Sequence, residues 1–118
     1  MTLLLTPHAL AASYEYLRAT APFKGWKLPP AEEVEFRVVR DKRIDGQHNF
    51  YLGTKRGEHI ISVSVPNVHT TTCLLITMAH EMIHAKQTAD GVRGRGHNNE
   101  FWQLARQICH VHGWEVFV

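Results

Sequence analysis

The chain has 118 residues, a formal net charge of +2 and 44% apolar residues. That is enough for one soluble globular domain over residues 1–118 with a modest core, and too little for two. A disordered chain is excluded, no stretch approaches the ~20 apolar residues that span a bilayer, and so weak a charge permits nucleic-acid binding without predicting it.

The start, Met1 to Leu5, is briefly apolar, but it lacks a basic leader region and Pro7 and His8 break the run. Cys73 and Cys109 lie far apart and neither belongs to a Cys-x-x-Cys pair. Both features lead to the expectation of a cytoplasmic protein without a disulfide framework and with no membrane association. Thr6 before Pro7 reads as an N-cap followed by a first-turn proline, and Leu10, Tyr14 and Leu17 recur at helical spacing, so a helix is expected from about Pro7 to Ala19. Pro22, Gly25, Pro29 and Pro30 make the next stretch a loop, with Phe23 and Trp26 turned inward.

From Val34 the period becomes two: Val34, Phe36 and Val38 alternate with Glu35, Arg37 and Val39, which suits a strand with one buried face. Residues 48–52 read as a second strand, Thr54 to Gly57 as a turn, and His59 to Val65 as a third strand ended by Pro66. Short connections favour an antiparallel meander. Thr70, Thr71 and Thr72 offer caps for a long helix over Cys73 to Ala89, closed by Asp90-Gly91. A glycine-rich basic loop follows, then a helix from about Asn98 to His110 with Phe101, Leu104, Ala105 and Ile108 on its apolar side. Gly113 closes that helix, and Trp114 to Val118 is a candidate terminal strand. The fold class expected is α+β: an N-terminal helix, a three-stranded antiparallel sheet, a long helix and a C-terminal helix.

Histidine is the outlier, with nine residues. His80 and His84 stand four apart in the long helix and so project from one face. That spacing lets two imidazoles reach one zinc ion at about 2.0–2.1 Å each. Glu81, beside the first of them, is placed to take a proton from a metal-activated water and deliver it to a leaving amine. A catalytic zinc needs a third protein ligand and an open position. Asp90 sits near the end of the same helix and points poorly back. His110 and His112 lie more than about 15 Å along the last helix. His97, which opens that helix after a loop able to reverse the chain, is the favoured third ligand, and Glu100 is the runner-up. Cys73 is about 10 Å along the helix from His80 and reads as a core thiol.

Met78-Ala-His-Glu-Met-Ile-His-Ala85, followed after a loop by Gly96-His-Asn-Asn-Glu-Phe101, resembles the SprT-like metalloprotease family, with its His-Glu-Met-x-His-Ala helix and later His-Gly-x-x-Phe segment. The N-terminal helix, the Lys27-Leu28-Pro29 approach and three strands before the helix match in pattern. The resemblance implies a minimal zincin-like fold with one Zn2+ on His80, His84 and His97 and Glu81 as the catalytic residue. It further implies a protein or peptide substrate and, as in Spartan-type proteases, DNA-associated proteins among the targets. Asn98 replaces the family's usual glycine, and the match is to a Spartan-type catalytic domain without the C-terminal zinc ribbon of many relatives. Two other readings stand beside it: a non-catalytic zinc-stabilised module that docks on DNA or protein, and a zinc amidase for a non-protein substrate. Arg93 and Arg95 read as a solvated loop, Lys42, Arg43, Lys55 and Arg56 as charged turns, and Trp102 and Trp114 as packing residues.

Overall fold

The computed structural model describes residues 3–51, 58–91 and 96–115. Helix α1 spans Pro7–Arg18, and the Thr6 hydroxyl oxygen accepts from the Ala9 amide at 3.0 Å. Its inner face buries Leu10, Tyr14 and Leu17. The loop beyond is tied back to α1 by two bonds: the Tyr14 hydroxyl donates to the Pro29 carbonyl at 2.5 Å, and the Ala31 amide donates to Glu15 Oε1 at 2.6 Å. Phe23 is buried in that loop against Trp26, as the apolar residues between its prolines imply.

Strands β1 (Val34–Val39), β2 (Gly46–Tyr51) and β3 (Glu58–Ser64) form one sheet. The α+β class holds, but the sheet is mixed, not an antiparallel meander. Its order is β1-β3-β2: β1 runs parallel to β3, with Val34 opposite His59 and Val39 opposite Ser64, and β2 runs antiparallel to β3, with Gly46 opposite Val63. Burial explains why β3 takes the centre. Its residues His59 to Ser64 are buried on both faces, whereas β2 carries the exposed Gln47 and Tyr51, as an edge strand does. The 40–45 connection crosses the end of β3 to reach the far edge. The Ser64 hydroxyl donates to the Asp41 carbonyl at 2.5 Å, the Ser64 amide donates to the Asp45 carbonyl at 2.8 Å, and the Asn67 side chain donates to the Ile44 carbonyl at 2.7 Å.

Helix α2 (Thr71–Ala89) starts where the Thr70 hydroxyl oxygen accepts from the Cys73 amide at 3.0 Å. It lies against α1, the sheet and the last helix, so its residues are buried around most of its circumference, with Met78, Met82 and Ile83 fully enclosed. Helix α3 (Asn99–His112) is capped by Asn98, whose Oδ1 accepts from the Phe101 amide at 2.9 Å. It ends at Gly113, whose φ of 75° is the left-handed conformation that closes a helix. Trp114 and Glu115 are not in a strand; the rest of the expected terminal strand, the Thr54–Gly57 turn and residues 92–95 of the basic loop lie outside the described residues. Among the described residues no helix is long and apolar enough to cross a membrane.

Candidate metal centre and its cleft

Helix α2 sets His80 and His84 one turn apart, with ring centroids separated by 5.0 Å. His97 precedes the cap of α3, and the packing of α3 on α2 carries its ring to theirs: His97 Nε2 stands 3.0 Å from His80 Nε2, and its centroid is 5.4 Å from that of His84. One nitrogen from each of the three lies within 4.8 Å of the others. Two imidazole nitrogens on a tetrahedral zinc, each about 2.0–2.1 Å from the ion, stand about 3.3 Å apart, so this all-nitrogen donor set fits the group. The structure therefore brings together the three histidines expected as ligands.

The runners-up are elsewhere. The Glu100 carboxylate is exposed and accepts from Gln87 Nε2 at 3.2 Å, outside the cluster. Asp90 pairs with Lys86 at 2.5 Å. His110 is exposed near the far end of α3, and His112 contacts Thr20 Oγ1 at 3.1 Å and stacks on Trp114. Cys73 is partly buried, with its thiol 3.7 Å from the Asn67 carbonyl. Cys109, also outside the cluster, has a thiol whose pKa is raised by burial.

Phe101, fully buried at the start of α3, is the floor beneath the three imidazoles. Its ring stacks on His97 at 4.3 Å and His84 at 5.1 Å and meets His80 edge-on at 4.9 Å. Sequence patterning identified Phe101 as apolar packing, but not as the surface on which the histidines rest. Trp102, expected as a packing residue, packs edge-on against His97 at 5.6 Å while remaining 41% exposed.

A cleft of about 370 Å³ opens over the group, with Gly46, Gln47 and His48 of β2 on one side and His80, Glu81 and His84 of α2 on the other. Glu81 is 5% exposed. Burial pushes its carboxyl pKa up to about 8, and the nearby Asp45 charge adds to the rise. A dication among the histidines would act in the opposite sense, favouring the carboxylate.

Gly46 lets strand and helix approach this closely. A Cβ there would stand 2.8 Å from Thr77 Cγ2, 3.0 Å from the Ser62 carbonyl oxygen and 3.1 Å from Glu81 Oε2. Two of those neighbours are a β-branched side chain on a packed helix and sheet backbone, neither free to withdraw. Gly46→Ala is therefore expected to cost about 1–3 kcal/mol of stability by overpacking and to displace Glu81. Chemical denaturation checks the first effect; an unchanged midpoint would mean that β2 retreats without cost.

Nothing in the sequence alone pairs His48 with His59. They are diagonal neighbours on one face of the β2–β3 ladder, since His48 is opposite Ile61. His48 Nε2 lies 2.8 Å from His59 Nδ1. Burial, then the His59 and His84 rings, lowers the pKa of His48 to about 4, and burial lowers that of His59, so both are neutral near pH 7. The register of two adjacent strands was the missing signal. Of the charged turns, Lys42 and Arg43 are exposed, and Arg43 is paired with Asp41 at 3.0 Å, holding that carboxyl below the usual range. Lys55, Arg56, Arg93 and Arg95 lie outside the described residues.

No protein-family model matches the chain, and no curated protein matches it.

Proposed function

We propose that this chain is a zinc-dependent metallopeptidase of the SprT-like kind, hydrolysing peptide bonds with Glu81 as general base and acid. The observation that carries the reading is the convergence of three imidazole nitrogens within 4.8 Å beside a buried carboxylate from the same helix. A purely structural zinc site usually closes with four protein ligands and has no need of a general base; no fourth ligand joins these three among the described residues.

His80, His84 and His97 would hold the ion, which supplies a Lewis acid that polarises a carbonyl and makes water acidic near neutral pH. Glu81 accepts the proton lost by the attacking water and returns it to the nitrogen of the departing amine. Burial raises its pKa and the charge of the ion would lower it, so the two opposed effects leave a carboxyl able both to take the proton and to give it back. Across the cleft, β2 is an edge strand whose outer backbone groups are not used in the sheet. An extended peptide can pair with such an edge and be held straight past Glu81. The likeness of residues 78–85 and 96–101 to SprT-like proteases supports a protein substrate, with DNA-associated proteins as the class to test first.

The test combines metal analysis with digestion of a heat-denatured protein, with and without single-stranded DNA. One zinc per chain and cleavage that a chelator stops are expected, with DNA stimulating cleavage if the targets are DNA-associated. One zinc per chain with no cleavage in either arm would favour the non-catalytic module.

A further inference from the structure

Two of the three clustered histidines share a rigid helix, but His97 does not. It is exposed and follows Gly96, whose φ is 77°; its ring rests on Phe101, but its backbone stands outside any helix. Its position depends on where α3 begins. At that point α2 contributes one polar side chain. Gln87, three residues beyond His84, is only 6% exposed, and its amide nitrogen donates to Asn98 Oδ1 at 3.0 Å and to Glu100 Oε1 at 3.2 Å. Asn98 Oδ1 also accepts from the Phe101 amide at 2.9 Å, which is the cap that starts α3. One oxygen thus joins the first turn of α3 to α2, in the residue immediately after His97.

We propose that Gln87 is a positioning residue for His97: by tying the cap of α3 to α2 it holds the third imidazole in reach of the other two and so sets the affinity of the centre for zinc. The inference rests on the reading of His80, His84 and His97 as a metal centre.

Packing alone gives no reason for an amide here. Gln87 lies one turn from His84 in a helix whose other buried positions include Leu74, Met78, Met82 and Ile83, and methionine would fill the same volume. Burying an amide is costly unless its donors are used, and both bonds from the Gln87 nitrogen go to the segment that carries His97. Gln87 does not need to touch the imidazole. It restrains the backbone from which His97 projects, and a ligand restrained beforehand loses less freedom when the ion arrives. Groups bonded directly to a metal ligand typically change affinity by about 10–100-fold when replaced, and a link that reaches the ligand through the backbone belongs at the lower end of that range.

The experiment is competition for Zn2+ between the metal-free full chain and a chromogenic chelator. Gln87→Met is expected to bind about 10-fold more weakly than the unsubstituted chain, with the helical circular dichroism of the metal-free form unchanged. Asn98→Ser keeps a capping oxygen but is too short to meet Gln87, so it should weaken binding similarly, and it leaves α2 untouched should Gln87→Met fold poorly. Because both changes cut the same link, the double variant should bind about as weakly as the weaker single variant. The visible spectrum with Co2+ supplies a further reading, since loss of an ordered His97 alters the ligand field. Unchanged zinc affinity in both folded single variants, or losses that simply add in the double variant, would overturn the assignment. If the unsubstituted chain binds zinc no better than His80→Ala, the metal centre itself fails and this inference falls with it; normal binding with an indifferent Gln87 removes the positioning role alone.

Discussion

Glu81→Gln should keep zinc and lose hydrolysis, with kcat reduced by about 10²–10⁴-fold on any protein the unsubstituted chain cleaves. The substitution is nearly isosteric, leaves His80, His84 and His97 in place, and removes only the capacity to take and return a proton. Zinc content by metal analysis should be the same in both forms. Full activity in the variant would eliminate Glu81 as the proton carrier. A second effect follows from burial. Burial raises the folded-state pKa of Glu81 to about 8 from its ordinary 4.5, so without metal the folded protein holds a proton that the unfolded chain has released between those two values. The stability contributed by this group is complete below pH 4.5 and is lost as pH rises through about 8. Glutamine carries no such penalty. In the presence of a chelator, Glu81→Gln should therefore stabilise the fold more at pH 8 than at pH 5, as read by thermal denaturation at the two values. An advantage that does not grow with pH would mean that Glu81 is better solvated than its 5% exposure implies.

The parts of the molecule that local chemistry determines were legible in the sequence. Thr6 and Thr70 each accept from a backbone amide three residues on, so the starts of α1 and α2 followed from side-chain type and position. The i, i+4 histidine pair needed only a helix to become two converging rings. Strand order was not legible, because it depends on contacts between distant residues. Connection length alone favours a meander, and the bonds from Ser64 and Asn67 that draw residues 41–45 across the end of β3 join positions 23 apart in sequence. The same holds within the cleft. Nothing local marks Gly46; its value comes from the approach of β2 to Thr77 and Glu81, which belong to a helix distant in sequence. His97 was favoured over Glu100 because it follows a loop able to reverse the chain, but what separates the two in space is where α3 rests on α2. Once Gln87 binds Asn98 and Glu100 together, the imidazole faces the pair on α2 and the carboxylate does not join it.

Phe101→Ala is expected to cost about 3–5 kcal/mol of stability and to weaken zinc binding as well. The first part follows from size and burial: the ring is 0% exposed and belongs to the main core with Met78, Met82 and Ile108. The second follows from what stands on the ring. His97 and His84 stack on it at 4.3 and 5.1 Å and His80 meets it at 4.9 Å, so its loss leaves a cavity directly beneath all three imidazoles. Without that support the rings gain freedom that metal binding must then remove. Phe101→Leu, which fills most of the space but offers no flat face, should recover much of the stability and less of the affinity. The measurement is the gain in unfolding free energy on adding saturating zinc, compared across the three forms at one free zinc concentration. Because a ligand stabilises the folded state by an amount that depends on its affinity, the gain should be smallest for Phe101→Ala. An equal gain in all three would reduce Phe101 to a core residue that happens to lie near the histidines, and the centre would then owe its shape to the helices alone.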